Sequence, residues 1–195
     1  VLRGALAGES EIGLIEPSAA PCTGIETFGT EFTDFDEPRL ISLALVAEDQ
    51  YCWLYTELDG ETWYSHASEF VLSEVVPLLD RRYGWEAPAA AAARIRAWAD
   101  KLPELGQIVC DSDYDWDLLR GLMIDNGGWP DKLVDKMLMV QWSPKFAEYK
   151  QDYILRYGLS AHHALADAKA LRYAFLLRRE TPPEAPFGAL DVPAR

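Results

Sequence analysis

Four side chains in this 195-residue chain combine type and spacing that suggest chemistry: Glu31, Asp115, His162 and Asp167. Glu31 lies in the stretch 25–35, IETFGTEFTDF. If this is a strand, alternation puts Glu31 on one face with Thr27 and Gly29, and Phe28 and Phe32 on the other. A carboxylate near the end of a central strand is costly to bury unpaired, and ligation of a metal ion is one reason to place it there. The opening of an acidic turn is another, because Asp34, Asp36 and Glu37 follow. Asp115 belongs to VCDSDYDWDLL (109–119), where a strand end turns into a helix. Helix capping and dipole compensation also account for aspartates there. Flanked by Tyr114 and Trp116, Asp115 has the least solvated surroundings of the four aspartates. His162 stands five residues before Asp167 in LSAHHALADAKALRYA (159–174). A histidine near a helix start can equally be a cap or a surface residue.

The elements that must position these residues are legible from periodicity. Ile25, Phe28 and Phe32 among Thr27, Thr30 and Thr33 read as a first strand. LISLALVA (40–47) reads as a strand buried on both faces, and 51–58 as a third, giving an antiparallel meander. Helical spacing then appears at Phe70, Val71, Val75, Val76 and Leu79, with Ser68 as N-cap. An Ala-rich helix follows at 88–100, a short strand at 107–110 and a helix at 114–124. The stretch 136–142 is the last predicted strand, and helices at 145–157 and 162–179 close the domain. The expected architecture is α/β: a mixed five-stranded sheet, made of the three-strand meander plus two further strands, flanked by helices. Residues 1–24, rich in Ala, Gly and Pro, read as a loosely ordered arm, 25–180 as one domain, and 181–195 as a Pro-rich tail.

The formal net charge of −14 is unevenly distributed. Residues 1–80 hold 16 acidic side chains against Arg3 and Arg39 and so account for all of it, while 81–195 are neutral. Such a field does not coat long duplex nucleic acid, whose attraction comes from Lys and Arg on phosphates. It can concentrate divalent cations, and solubility explains surface acid equally well. No apolar run is long enough to cross a membrane, and no secretory signal is visible at the start. Three cysteines without a Cys-x-x-Cys pair argue against a disulfide framework and for a reducing cytoplasm.

In this order, the three stretches resemble the DEDDh exonucleases, the DnaQ-like branch of the ribonuclease H-like fold. That family carries Asp-x-Glu on its first strand, an Asp at the start of a mid-chain helix, and His-x-x-x-x-Asp on a late helix. The resemblance covers roughly residues 25–179. Thr-Glu-Phe with the following Leu-Ile-Ser, and Tyr-Asp-Trp, are similar to a small bacterial single-domain 3′–5′ exoribonuclease-like subgroup. The resemblance implies that Glu31, Asp115 and Asp167 are metal ligands and His162 the general base. His163 falls where the sister group has tyrosine. The family uses two Mg²⁺ or Mn²⁺ ions, one activating water and one stabilising the departing 3′ oxygen, and releases nucleoside 5′-monophosphates.

One position departs from that pattern. The first acid of Asp-x-Glu should be residue 29, which is Gly. One ion is therefore expected rather than two, and Gly29→Asp is expected to fit without steric trouble on the face of Glu31. Phe32 and Phe35 are candidates for stacking on terminal bases, with core packing as the competing role for Phe32. Lys169, Arg172, Arg178 and Arg179 are either phosphate contacts or a solvated helix face. The implied function is a metal-dependent 3′–5′ exonuclease on single-stranded 3′ ends or short oligonucleotides, RNA ahead of DNA. The alternative is a catalytically silent exonuclease-fold module that binds nucleic acid or a protein partner. No membrane partner is expected, and a homodimer is allowed.

Overall fold

The computed structural model describes residues 24–80 and 85–180. The arm and the tail read from the sequence lie, apart from Gly24 in the arm, outside the described residues. Six strands form one sheet in the order β4-β3-β2-β1-β5-β6. They are β1 (Ile25–Phe32), β2 (Leu40–Ala47), β3 (Trp53–Leu58), β4 (Trp85–Glu86), β5 (Gln107–Cys110) and β6 (Leu138–Met139). The four α-helices are α1 (Pro88–Ala99), α2 (Asp113–Asp125), α3 (Pro144–Arg156) and α4 (Ala164–Glu180). The meander is antiparallel as expected, with Gly29 opposite Ala44 and Glu31 opposite Ser42. On its other side β1 pairs in parallel with β5, from Ile25 against Gln107 to Thr27 against Val109. β1 is thus interior, and its carboxyl end opens beside that of a parallel neighbour. In open α/β sheets such a place forms a crevice.

Alternation along β1 decides which helix each residue meets. Phe28 packs into the larger core with Leu43, Leu45, Ile95 of α1 and Leu119 of α2. Thr27 and Gly29 face α4, the Thr27 hydroxyl donating to the Ala168 carbonyl at 3.1 Å. A second cluster seals this face, with Ala44, Val46 and Tyr55 against Ala164, Leu165 and Ala168. All eight residues of β2 are buried, as its unbroken apolar run demands.

Three expectations are corrected. The sheet has six strands rather than five, because Trp85 and Glu86 add a two-residue edge to β3. Too short to show a period, that pair leaves no strand signature. Residues 71–78 are not a regular α-helix but a π turn, Val71–Val75, running into a 3-10 turn, Val76–Leu78. Pro77 has no N–H to continue an α ladder. Ser68 does cap the segment, accepting from Val71 N at 3.3 Å. Finally, Cys52 is disulfide-bonded while Cys110 is free and buried. Three cysteines leave room for one bridge without a framework. Among the described residues no helix is long and apolar enough to cross a membrane.

Glu26 is the most costly residue of β1. It is fully buried, and neither carboxyl oxygen has a hydrogen-bond partner. Burial, then the charges of Asp49 and Glu48, push its pKa up from 4.5 to about 8. A raised carboxyl pKa favours folding below the unfolded value and withdraws that stability as pH rises through the folded one. Stability should fall between pH 4.5 and 8, at a slope approaching about 1.4 kcal/mol per pH unit from this group. Glu26→Gln should flatten that fall. Urea denaturation of both proteins at pH 5 and pH 8 measures it, and parallel losses would contradict it.

Candidate active site

The site forms where β1 ends. Glu31 is 8% exposed and Asp115 7%. Asp115 sits in the first turn of α2, whose N-cap Ser112 accepts from Tyr114 N at 3.2 Å. Its Oδ1 accepts a hydrogen bond from the Thr30 hydroxyl. Asp167 lies in the first turn of α4, where its N–H donates to the His163 carbonyl at 3.0 Å. Consecutive residues of β1 thus address opposite helix layers: Thr30 reaches Asp115, and Glu31 reaches Asp167.

The Glu31 and Asp167 side chains lie close enough to act directly on one another. Burial pushes the Glu31 carboxyl far above the ordinary range, and the negative charges of Asp167 and Asp115 add to it. Burial likewise raises Asp167. Asp115 is pushed up to about 7 by burial, against the opposing Thr30 hydrogen bond. Three carboxyls raised together, Glu31 and Asp115 buried and Asp167 half-buried, make a site short of positive charge.

A cavity of about 250 Å³ opens beside Asp167, lined by Gly29, Asp111, Asp115, Lys150, His162 and Asp167 among others. His162 stands at its rim with φ +64°, a left-handed backbone uncommon outside glycine. Its ring meets Phe70 edge-on, 5.1 Å between centroids. His163 has a different task. Its Nδ1 accepts from Leu165 N at 3.2 Å, its ring stacks on Tyr55 at 4.8 Å, and burial lowers its pKa. The first histidine therefore faces the cavity and the second caps α4.

Gly29 gives the clearest correction to the sequence reading. A Cβ built there would lie 3.0 Å from the Ala164 carbonyl oxygen and 3.2 Å from Ala168 N. Both are backbone atoms of α4, so a side chain at residue 29 requires the helix to move by a few tenths of an ångström. The position shares the face of Glu31 as expected, but it is not open space. Asp34 offers no replacement, since its Oδ1 accepts from the N–H groups of Asp36 and Glu37, closing the turn after β1.

Phe32, half buried, and Phe35, 69% exposed, form an aromatic cluster with Tyr114. Phe32 stacks on Tyr114 at 5.6 Å, and Phe35 meets both rings edge-on at 5.2 and 5.3 Å. Tyr114 was read from the sequence only as a flank of Asp115. Thr30, Asp111 and Lys150 were missed as site residues. The Asp-rich run at 111–117 held a signal for Asp111, but nothing in the pattern of α3 distinguishes Lys150. The other candidate cations are committed elsewhere. Arg172 and Arg178 donate to the carbonyls of Glu48 and Gln141, Arg179 pairs with Glu48, and Lys169 lies over the Trp53 ring.

Among the described residues, no three His, Cys, Asp or Glu side chains are placed to hold a metal ion. A caged two-ion centre therefore does not fit, and residue 29 lacks the first acid of the Asp-x-Glu pattern. The Glu31–Asp167 pair does fit a single hydrated Mg²⁺ or Mn²⁺. Such ions are commonly held by one or two carboxylates with substrate phosphate completing the shell, and a cation here would offset the charge that raises these carboxyls.

No protein-family model matches the chain, and no curated protein matches it by sequence. Solved structures do. A full-length 3′-exonuclease superposes with a TM-score of 0.51 at 10% identity, over 83% of each chain. A 3′-exonuclease described in 3′-end-specific recognition of histone mRNA stem-loop gives 0.49 at 9% identity, again over 83% of each chain. Exonuclease I gives 0.44 at 15% identity, over 76% of this chain and 39% of its own. The first of these likenesses shows the fold: a ribonuclease H-like α/β sheet of the kind found in 3′-exonucleases.

Proposed function

We propose that this chain, built on the fold of a 3′-exonuclease, hydrolyses nucleic acid from an unpaired 3′ end and releases nucleoside 5′-monophosphates. The observation that carries the reading is that Asp115, His162 and Asp167 line one cavity, with buried Glu31 acting on Asp167 and Asp115. Glu31 and Asp167 would hold one Mg²⁺ or Mn²⁺, with Asp115 beside them. When bound, such an ion polarises the phosphodiester and acidifies the attacking water. The chain's own residues do the rest. His162 at the rim takes the proton of the attacking water, a role suited to an imidazole whose free pKa lies near neutrality. Phe35 and Tyr114 offer exposed ring surface on which the last bases can stack, as aromatic platforms do for single strands. A paired end would first have to fray to reach the cavity. We put RNA ahead of DNA as substrate on the strength of the family resemblance.

His162→Ala tests this reading. Removing a positioned general base costs about 10²–10⁴-fold in turnover, and KM for a single-stranded oligonucleotide should change little. The variant keeps the backbone of the parent, so its circular dichroism should match. Turnover indifferent to the substitution would overturn the assignment of His162 and would point to a contaminating nuclease.

A second reading has its own support. Residue 29 carries no acid and the described residues form no three-ligand cage, so the same cavity could serve a silent module that binds a 3′ end without cutting it. Binding of a single-stranded oligonucleotide without release of monophosphate at any Mn²⁺ concentration would favour it.

A further inference from the structure

Lys150 has no counterpart among the residues the resemblance assigns. It projects from α3, its Nζ 2.7 Å from Asp111 Oδ2, and it lines the cavity together with Asp115, His162 and Asp167. It is the one Lys or Arg in that lining. Its positive charge acts on all three motif carboxyls, opposing the rise of Glu31, Asp115 and Asp167 alike. Both members of the Lys150–Asp111 pair remain partly exposed, so the ammonium is reachable from the cavity. Charge attraction to Asp111 holds it in place without enclosing it.

The geometry points to Lys150 as a phosphate-binding residue that supplies the positive charge of a second ion, so that the site works with one metal ion and one lysine. The inference rests on the hydrolytic reading above for its catalytic part. In the step, the water oxygen forms the new bond to phosphorus and its proton passes to His162. The bond from phosphorus to the 3′ oxygen breaks with its electron pair on that oxygen. Lys150 hydrogen-bonds the departing oxygen and hands it a proton, and solvent restores the ammonium. A flexible point charge with three donors is suited to following an oxygen as it leaves. The absent carboxylate at Gly29 and the present ammonium are then two sides of one arrangement: less negative charge to hold ions, and a fixed cation in exchange.

Lys150→Met and Lys150→Arg in the full chain test it. Adenosine 5′-monophosphate should bind the parent in EDTA, and Lys150→Met should weaken that binding at least 10-fold while Lys150→Arg retains most of it. Calorimetry with Mn²⁺ alone should show one ion in both the parent and Lys150→Met, bound several-fold tighter in the variant because a repelling charge has gone. In Mg²⁺, Lys150→Met should cut oligonucleotide hydrolysis at least 100-fold. Unchanged monophosphate binding in EDTA would overturn the inference, as would a second Mn²⁺ bound by Lys150→Met, which would make the lysine a plug. If the parent hydrolyses nothing yet monophosphate binding still depends on Lys150, the hydrolytic reading fails and the phosphate site stands. A melting temperature within a few degrees of the parent is expected for a partly exposed pair and shows that the fold is intact.

Discussion

Gly29→Asp is expected to raise hydrolysis of a single-stranded oligonucleotide by 100-fold or more in Mg²⁺ or Mn²⁺ while making the metal-free protein less stable. The gain would come from supplying the missing first acid of Asp-x-Glu, which would help hold a second ion, and 100-fold corresponds to roughly 3 kcal/mol of transition-state stabilisation. The loss has two parts. Any Cβ at residue 29 presses on the Ala164 carbonyl and Ala168 N–H of α4, and overpacking of this kind costs about 1–3 kcal/mol. A further carboxylate also joins Asp115 and Asp167 at a cavity whose lining holds one Lys or Arg, Lys150. Gly29→Ala separates the two, because it bears the packing cost alone and should gain no activity. In Gly29→Asp, but not in Gly29→Ala, Mn²⁺ should restore most of the lost melting temperature and calorimetry should count two ions. Absence of any rate gain in a folded Gly29→Asp protein would favour the silent module.

The second large effect runs in the opposite direction. Asp167→Asn should abolish hydrolysis, by 10³-fold or more, and at the same time stabilise the metal-free protein. Half-buried Asp167 and buried Glu31 act on one another, and the negative charge of Asp167 raises the Glu31 carboxyl. An amide at 167 removes one negative charge from the cavity. Acid clusters of this sort exchange stability for function, and a gain of about 1 kcal/mol in urea denaturation is the expected size. Mn²⁺ should raise the melting temperature of the parent and leave Asp167→Asn almost unmoved. A destabilised Asp167→Asn would mean that the pair contributes to folding and is not short of a cation.

Much of the framework was legible in the sequence because it rests on local patterns. The unbroken apolar run of β2, the period of α2 and the His-x-x-x-x-Asp spacing each depend on a few adjacent residues. What escaped depends on contacts distant in sequence. The pairing of Lys150 with Asp111 joins α3 to the end of β5 across 39 positions, and the Thr30 hydroxyl meets Asp115 across 85. Neither has a local signature. Gly29 is instructive in another way. Alternation correctly put it on the face of Glu31, but alternation says nothing about how closely a helix lies over that face. The local pattern did not separate the tasks of His162 and His163, since the helix was expected from 162 whereas α4 begins at Ala164, after both. Tyr114 needed the tertiary fold, which brings the start of α2 against the chain just past β1.

Thr30 and Glu31 are successive residues, about 3.3 Å apart along β1, yet one serves α2 and the other α4. A displacement of β1 by a single residue would therefore not loosen the site but dismantle it, since one slip puts Phe32 in the place of Glu31 and the other puts Gly29 in the place of Thr30. Assembly of the site is in this sense all-or-none. The pairing irregularity between β1 and β2 falls between Glu31 and Phe32, immediately after the last residue whose facing matters, so slack in the turn that follows is taken up without reaching the carboxyls. The chemistry is indexed to the strand like a tooth in a ratchet, and changes in the length of the 33–39 turn should be tolerated far better than any insertion within β1.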